Sequence, residues 1–152
     1  MIIYFMQKWK DGSPTMFREK ILSGFERVAL ENELKKRDGL IPWYPIKYHT
    51  MRASFRIKEG VMLDLAYWSG RPYNSSPERF VEQTPCISTQ KVKIDYKLAG
   101  LPPDVYVDGK LLGLPKLQRL AINDGFESSV KFFEHFNKSA EYNLIHWTNL
   151  RY

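Results

Sequence analysis

The sequence is poor in cysteine and has no long apolar run. Cys86 is the single cysteine among 152 residues, which excludes an intramolecular disulfide and a metal site built from thiolates. No apolar run approaches the ~20 residues that a membrane-spanning helix needs. The opening segment MIIYFMQKWK turns polar early and has no basic leader, so it does not read as a signal peptide. We therefore expect a cytoplasmic protein with no metal, no cofactor and no membrane segment.

The composition is that of one globular domain with a basic surface. Hydrophobic residues make up 43% of the chain and aromatic residues 14%, which is enough apolar material for one core. The formal net charge is +6. A positive balance of this size favours attraction to nucleic acid or nucleotides, although the charges are spread along the chain. We expect a single domain over residues 1–152.

The apolar pattern predicts a mixture of strands and helices. Alternation of period two is clearest in residues 61–68, which predicts a half-buried strand. Asp108-Gly109 lies between two apolar triplets and predicts a β-hairpin. The predicted strands are residues 1–5, 48–52, 61–68, 86–98 and 144–147. The predicted helices are residues 13–24, 25–38, 115–122 and 128–136.

Several breaks separate these elements. Ser13-Pro14 is expected to open the first helix, and Gly24 to end it. Residues 40–45 contain two prolines and are expected to be extended or irregular. Residues 69–85 are rich in Gly, Pro, Ser and Asn and are expected to form a long loop. The mixed order with antiparallel hairpins predicts an α+β fold.

Three short segments together resemble the ASCH branch of the PUA-like superfamily. They are ILSG at residues 21–24, a K-x-x-T-x-R pattern at residues 47–52, and LAINDGF at residues 120–126. The resemblance is to uncharacterised bacterial and phage proteins and, more distantly, to acetylcytidine amidohydrolases. It covers most of the chain and implies a mixed β-barrel flanked by helices. Compact members lack a counterpart of residues 25–46, which we interpret as a helical insertion.

The resemblance implies a catalytic set of Lys47, Thr50 and Asp124. In the acetylcytidine amidohydrolases a lysine, a threonine and a glutamate act together, and this chain has Asp124 at the glutamate position. A threonine hydroxyl needs an adjacent base to act as a nucleophile, and a lysine can serve when its pKa is lowered. The alternative is that these residues have no catalytic role. Thr50 would then be an ordinary strand residue, Lys47 an exposed cation and Asp124 a turn residue beside Gly125.

Strand geometry limits how this set can meet. Thr50 and Arg52 are two residues apart, so they point to the same face of a strand. Lys47 is three residues from Thr50 and can reach it only from an irregular segment after Pro45. His49 points away from Thr50 and is expected to be a packed or surface histidine.

A second group of residues suits ligand binding. Aromatic rings beside arginine on a loop can stack on bases and contact phosphate, which makes Trp68, Arg71 and Tyr73 candidates. The alternative is that Trp68 only anchors the loop. Arg52 and Asn123 complete the set of candidate nucleic-acid or substrate contacts.

Three functional hypotheses follow. The first is a module that binds RNA or a nucleoside-type ligand in a basic, aromatic-lined groove. The second is an amidohydrolase of acylated nucleosides such as acetylated cytidine, which needs its three catalytic groups in one small pocket. The third is a nuclease, in which Lys47, Arg52 and Asp124 stabilise a phosphoryl transition state. The oligomeric state does not follow from the sequence.

Overall fold

The computed structural model describes residues 1–34, 45–54 and 56–152. Its helices and strands alternate irregularly along the chain, as expected for an α+β fold. In chain order they are β1 (Ile2–Tyr4), α1 (Phe17–Leu34), β2 (His49–Arg52), β3 (Met62–Trp68), β4 (Pro77–Pro85), β5 (Ser88–Asp95), β6 (Asp104–Val107), β7 (Lys110–Leu111), α2 (Leu114–Asn123), α3 (Ser129–His135) and β8 (Ala140–His146). None of the described helices is long and apolar enough to cross a membrane.

The strands form two separate sheets. One has the order β1-β3-β4, and the other has the order β2-β8-β5-β6-β7. Within the described residues no strand pairing joins them, so the expected closed barrel is not formed. The edges of the two sheets, β1 and β2, are instead linked by a side chain, since Arg52 Nη2 donates to the Tyr4 carbonyl at 2.6 Å.

Each sheet contributes to a different apolar core. One face of the five-stranded sheet packs against α2 and α3, where Val92, Leu120 and Phe132 are buried. The opposite face faces the three-stranded sheet and α1, where Ile145 and Ile21 are buried. The five-stranded sheet is therefore covered on one face by α2 and α3 and on the other by the second core around Ile145, while Lys91 and Lys93 of β5 remain exposed.

Two strong local predictions are confirmed. Residues 61–68 contain β3, in which Leu63 and Leu65 are fully buried. Asp108 and Gly109 both have positive φ, 49° and 79°, as a tight hairpin turn between β6 and β7 requires. The helix at 115–122 and the helix at 128–136 also form, as α2 and α3.

The predicted loop at residues 69–85 is wrong in its second half. Residues 77–85 form β4, which pairs with β3 along an outer edge of its sheet. Most of its side chains are exposed, although Phe80 and Val81 pack onto the core and Thr84 is buried. An edge strand with a polar exterior lacks the apolar alternation that marks a half-buried strand, so its composition resembled that of a loop.

The predicted helix boundaries near the first motif are also wrong. The helix begins at Phe17, not at Pro14, which forms an isolated bridge with Lys8. It then runs through Gly24 without a break. A Cβ at Gly24 would lie 2.9 Å from the Lys47 carbonyl oxygen, so this glycine permits close packing of another segment. Residues 35–38 of the helix expected over 25–38, and residues 40–44 of the irregular segment expected over 40–45, lie outside the described residues.

Candidate functional site

A short irregular segment, residues 45–48, places Lys47 inside the molecule. The Lys47 amide donates to the Lys20 carbonyl of α1 at 2.9 Å, and the Tyr48 amide donates to the Asn123 carbonyl of α2 at 2.8 Å. The segment therefore passes between the first helix and the end of the second. The small size of Gly24 makes this passage possible.

Lys47 and Asp124 form a buried ion pair. Lys47 Nζ lies 2.7 Å from Asp124 Oδ1 and also donates to the Asp124 carbonyl. The two residues are 1% and 3% exposed. The ammonium lies 4.6 Å from the centre of the Phe17 ring, so an aromatic face covers its remaining side. This residue is thus neither an exposed cation nor an isolated buried charge.

Burial and charge act in opposite directions on this pair. Burial lowers the pKa of Lys47 to about 8, although the neighbouring Asp124 carboxylate opposes that shift. Burial alone would raise the pKa of Asp124, but the charge of Lys47 and contact with His49 hold it below its usual value. Both groups are therefore charged at neutral pH, and the amine can be deprotonated in mildly alkaline solution.

His49 extends the pair in a direction that sequence reasoning missed. His49 is fully buried, in agreement with the expectation of a packed histidine. Its ring lies beside polar groups as well as apolar ones. His49 Nδ1 lies 3.4 Å from Asp124 Oδ1, longer than an ordinary hydrogen bond, and Nε2 lies 2.8 Å from Tyr152 Oη. Asn123 Nδ2 donates to the same Oη at 2.9 Å.

Thr50 is buried near this pair but is not joined to it. It is 4% exposed and lies on the strand face opposite His49. Within the described ranges its hydroxyl makes no hydrogen bond to Lys47 or to Asp124. Two of the three residues proposed as catalytic are thus in contact, and the third is not.

Arg52 places a second cation close to the pair. Its Cζ lies 5.1 Å from the centre of the Phe5 ring, and Lys47 Nζ lies 5.7 Å from the same centre. Arg52 Nη2 donates to the Tyr4 carbonyl, but the buried Nε atom of the same side chain has no hydrogen-bond partner among the residues described. In that part of the chain Arg52 makes no ion pair, so its positive charge is not neutralised by contact.

The loop after β3 presents an aromatic stack. The rings of Tyr4 and Trp68 are 4.2 Å apart and nearly parallel, at 3°. Tyr73 lies 5.5 Å from Trp68, and it is 89% exposed. Arg71 is exposed in the same turn, and its carbonyl accepts from Ser75 Oγ at 2.9 Å. Trp68 therefore does anchor the loop, and the anchored loop exposes Tyr73 and Arg71.

Asn123 is separate from that surface. Its carbonyl binds Tyr48 and its side chain binds Tyr152, so both of its polar groups are used inside the molecule. Of the five residues proposed for ligand contact, three are joined to Tyr4 by a series of contacts. Arg52 binds its carbonyl, Trp68 stacks on its ring, and Tyr73 packs beside Trp68, while Arg71 lies on the same loop. Tyr4 itself was not predicted, because nothing in its local pattern marks it.

Two surface cavities lie elsewhere. They measure about 310 and 730 Å³, and residues between positions 6 and 16 form part of the lining of each. Neither is lined by Lys47, Thr50 or Asp124. Across the described ranges, no three His, Cys, Asp or Glu side chains are grouped so that they could hold a metal ion.

Comparison with known proteins gives no match: no protein-family model, no curated protein and no solved structure is significantly similar to this chain. The case for a function therefore rests on the geometry of these residues.

Proposed function

We propose that this chain is an ASCH-type domain of the PUA-like superfamily that binds RNA or a nucleotide. The observation that carries the proposal is the junction at Tyr4, where an arginine that makes no ion pair among the described residues meets a partly exposed aromatic stack. The stack would take a base and Arg52 would take a phosphate. A nucleotide ligand needs both kinds of group, and packing among the described residues does not account for the exposure of Tyr73 or for the unpaired Nε of Arg52.

The cation supports an anionic ligand. Arg52 Nε is buried without a partner in the described residues, and burying an unsatisfied donor costs about 1–3 kcal/mol. The atom is covered by protein, so a phosphate oxygen would satisfy the donor and neutralise the charge only after neighbouring side chains move aside. Arginine suits this contact because its planar guanidinium offers several donors in fixed directions.

The stack supports an unpaired base. Tyr73 is too exposed to contribute much to the core, and it sits on a turn with φ of 65°, in the left-handed region that non-glycine residues seldom adopt. Stacking of one base on an aromatic ring contributes about 1–3 kcal/mol and tolerates any base. A single-stranded RNA fits this surface better than a duplex, whose bases are already stacked.

Binding of a fluorescently labelled single-stranded RNA, followed by anisotropy over a range of salt, tests the proposal. We expect the Tyr73→Ala variant to bind about tenfold more weakly, since one stacking contact is lost. We expect Arg71→Ala to weaken binding and to reduce the salt slope by about one unit, since one phosphate contact is lost.

Matched controls come from a different element. Lys116 is exposed on α2, so Lys116→Ala removes a cation without touching the stack. If Lys116→Ala weakens binding as much as Arg71→Ala, the protein attracts RNA only through its overall positive charge, and the proposed surface is wrong. A gel of the RNA after incubation shows whether the strand stays intact; cleavage would favour the nuclease hypothesis.

An amidohydrolase acting on acylated nucleosides is the second candidate. The specific observation in its favour is the contact between Lys47 and Asp124, the two residues that the resemblance pairs in catalysis. A lysine with a pKa of about 8 can act as a base near neutral pH. Thr50 would have to turn its hydroxyl toward Lys47 for the reaction to occur.

Loss of the ultraviolet absorbance of acetylated cytidine tests this candidate. Turnover by the wild-type protein that Thr50→Ala abolishes would support it. Thr89 is the control, because both threonines are in register with Ile145 on neighbouring sides of β8. No turnover by folded wild-type protein, or equal loss in Thr89→Ala, would refute the assignment of Thr50 for this substrate.

A further inference from the structure

Tyr152 lies in a polar pocket on the face of the five-stranded sheet that α2 and α3 cover. Its hydroxyl oxygen accepts from Asn123 Nδ2 at 2.9 Å and lies 2.8 Å from His49 Nε2. Its ring meets the ring of His49 edge to face, with centres 5.5 Å apart. Side chains from β2 and α2 therefore hold both the ring and the hydroxyl group of Tyr152.

Gln90 binds the backbone of the same residue through both ends of its amide. The Tyr152 N–H donates to Gln90 Oε1 at 3.1 Å, and Gln90 Nε2 donates to the Tyr152 carbonyl at 3.2 Å. Asp108 Oδ2 also accepts from Gln90 Nε2, at 2.9 Å, so the carboxylate fixes which end of the amide is the donor. An amide held in this way offers a donor beside an acceptor, the pattern with which glutamine reads the edge of a nucleobase.

Several buried polar atoms beside Tyr152 have no partner. The ring centre of His146 lies 6.3 Å from that of Tyr152, and neither nitrogen of this fully buried ring makes a hydrogen bond among the described residues. Ser88 is the cross-strand partner of His146, so its side chain lies on the same face, and its buried hydroxyl is also unpaired there. The carbon–hydrogen edge of a phenol ring cannot satisfy such groups, which destabilise the protein while they lack a partner. The pocket therefore offers more hydrogen bonds than Tyr152 uses.

We propose that this pocket binds a planar heterocycle with an N–H donor beside an acceptor, such as a nucleobase, and that Tyr152 occupies it in place of the ligand. The edge of such a ring can pair with Gln90 as the Tyr152 backbone does. Its other polar groups can bind His146 and Ser88, which the phenol leaves unpaired. Because the ligand enters only when Tyr152 leaves, Tyr152 lowers the apparent affinity of the pocket.

Titration with adenosine, followed through the Gln90 side-chain amide signals in NMR spectra of ¹⁵N-labelled protein, tests the site. Tyr152→Ala removes the ring and its contacts with His49 and Asn123, so residue 152 leaves the pocket more readily. We expect this variant to bind adenosine about tenfold more tightly than the wild type, because less of the protein is in the occluded state. If Tyr152 only supported the fold, its removal would leave binding unchanged or weaken it.

Purine riboside is the matched ligand. It has the ring system of adenosine but lacks the exocyclic amino group that would donate to Gln90 Oε1. We expect it to bind the Tyr152→Ala variant about tenfold more weakly than adenosine does, since the paired contact with Gln90 is lost. Equal affinity for the two nucleosides would overturn the proposal.

Tyr96→Ala is the matched protein variant. Tyr96 is also partly buried, but its hydroxyl donates to the Phe136 carbonyl beyond α3 and makes no contact with the pocket. We expect its affinity for adenosine to equal that of the wild type. An equal gain in Tyr96→Ala, or no binding of adenosine by folded Tyr152→Ala, would overturn the proposal.

The proposal does not rest on RNA binding, because the pocket includes none of the residues of the aromatic stack. Adding Tyr73→Ala to the Tyr152→Ala variant separates the two sites. We expect the affinity for adenosine to stay unchanged in the double variant, even if RNA binding at the stack proves absent. A loss of adenosine affinity would place the nucleoside on the stack and overturn the assignment of the pocket.

Discussion

The Lys47–Asp124 pair and the Tyr4–Trp68–Tyr73 stack differ in nearly every physical respect. The pair is almost fully buried, is held by backbone bonds from two helices, and contacts two phenylalanine rings. The stack lies on a sheet surface and ends in a tyrosine that is 89% exposed. Arg52 is close to both, because it shares Phe5 with the pair and Tyr4 with the stack.

The difference separates two energetic roles. A buried charge pair loses hydration, so removing either partner leaves the other charge uncompensated. An exposed ring has little to lose on mutation but gains contact when a ligand covers it. We therefore expect substitutions in the pair to act first on stability, and substitution of the exposed Tyr73 to act on binding alone.

The largest effect is expected from Asp124→Asn. The amide has the shape of the carboxylate but no charge, which leaves the Lys47 ammonium buried and unpaired. We expect the free energy of unfolding to fall by about 3–5 kcal/mol in urea titrations. Asp104→Asn is the control, because the Asp104–Lys97 pair is exposed, and its loss should be much smaller. Equal losses in the two variants would contradict the contrast between buried and exposed regions.

Gly24→Ala is expected to have the next largest effect. Glycine to alanine in a helix ordinarily stabilises by up to about 1 kcal/mol. Here the added methyl would meet the Lys47 carbonyl at 2.9 Å, so we expect a loss of about 1–3 kcal/mol. Gly70→Ala, on the exposed loop, meets Ser75 only at 3.4 Å and should be nearly neutral. A stabilising Gly24→Ala would show that residues 47–48 do not lie against α1.

Stability should rise between pH 8 and pH 10 in a way that depends on Lys47. Its pKa is about 8 in the folded protein and 10.5 in the unfolded chain, so the unfolded state binds more protons in this range. The contribution is fully present above the unfolded pKa and is lost as the pH falls through the folded pKa. Relative to Lys47→Met, we expect a gain on the order of 1–2 kcal/mol, measured by urea unfolding at each pH. If the stabilities of the wild type and of Lys47→Met changed with pH in parallel, the lowered pKa could not belong to Lys47.

The smallest effect on stability is expected from Tyr73→Ala. An exposed side chain away from a core changes the free energy of unfolding by less than about 0.5 kcal/mol. The same variant is expected to lose RNA affinity, as set out above. A large loss of stability would show that Tyr73 is part of the packing and would remove the reason for treating it as a ligand contact.

Much of the fold could be predicted because its strands alternate and its turns have strong signals. The period of two in β3 and the Asp108-Gly109 turn are local patterns that tertiary contacts reinforce. Edge strand β4 could not be predicted, since its exposed side chains follow no apolar period. Gly24 was misread because a helix stop and a close approach both favour glycine, and only the position of Lys47 distinguishes them.

The candidate site was predictable only in part. Strand alternation correctly placed Thr50 and Arg52 on one face, and it placed His49 on the other. It could not show that Asp124 approaches the His49 face, because that contact joins residues 75 positions apart. Tyr4 and Tyr152 were missed for the same reason: their roles come from partners distant in sequence, and no local spacing records them.

The most direct test of the account follows the tryptophan indole N–H signals by NMR while single-stranded RNA is added. The chain has four tryptophans. Among those that the structure describes, Trp68 alone belongs to the stack, whereas Trp147 is buried in the core. The account predicts that the Trp68 signal shifts first and saturates with the binding curve, and that Tyr73→Ala weakens this response. A binding curve during which the Trp68 signal stays fixed, or no binding at all, would contradict it.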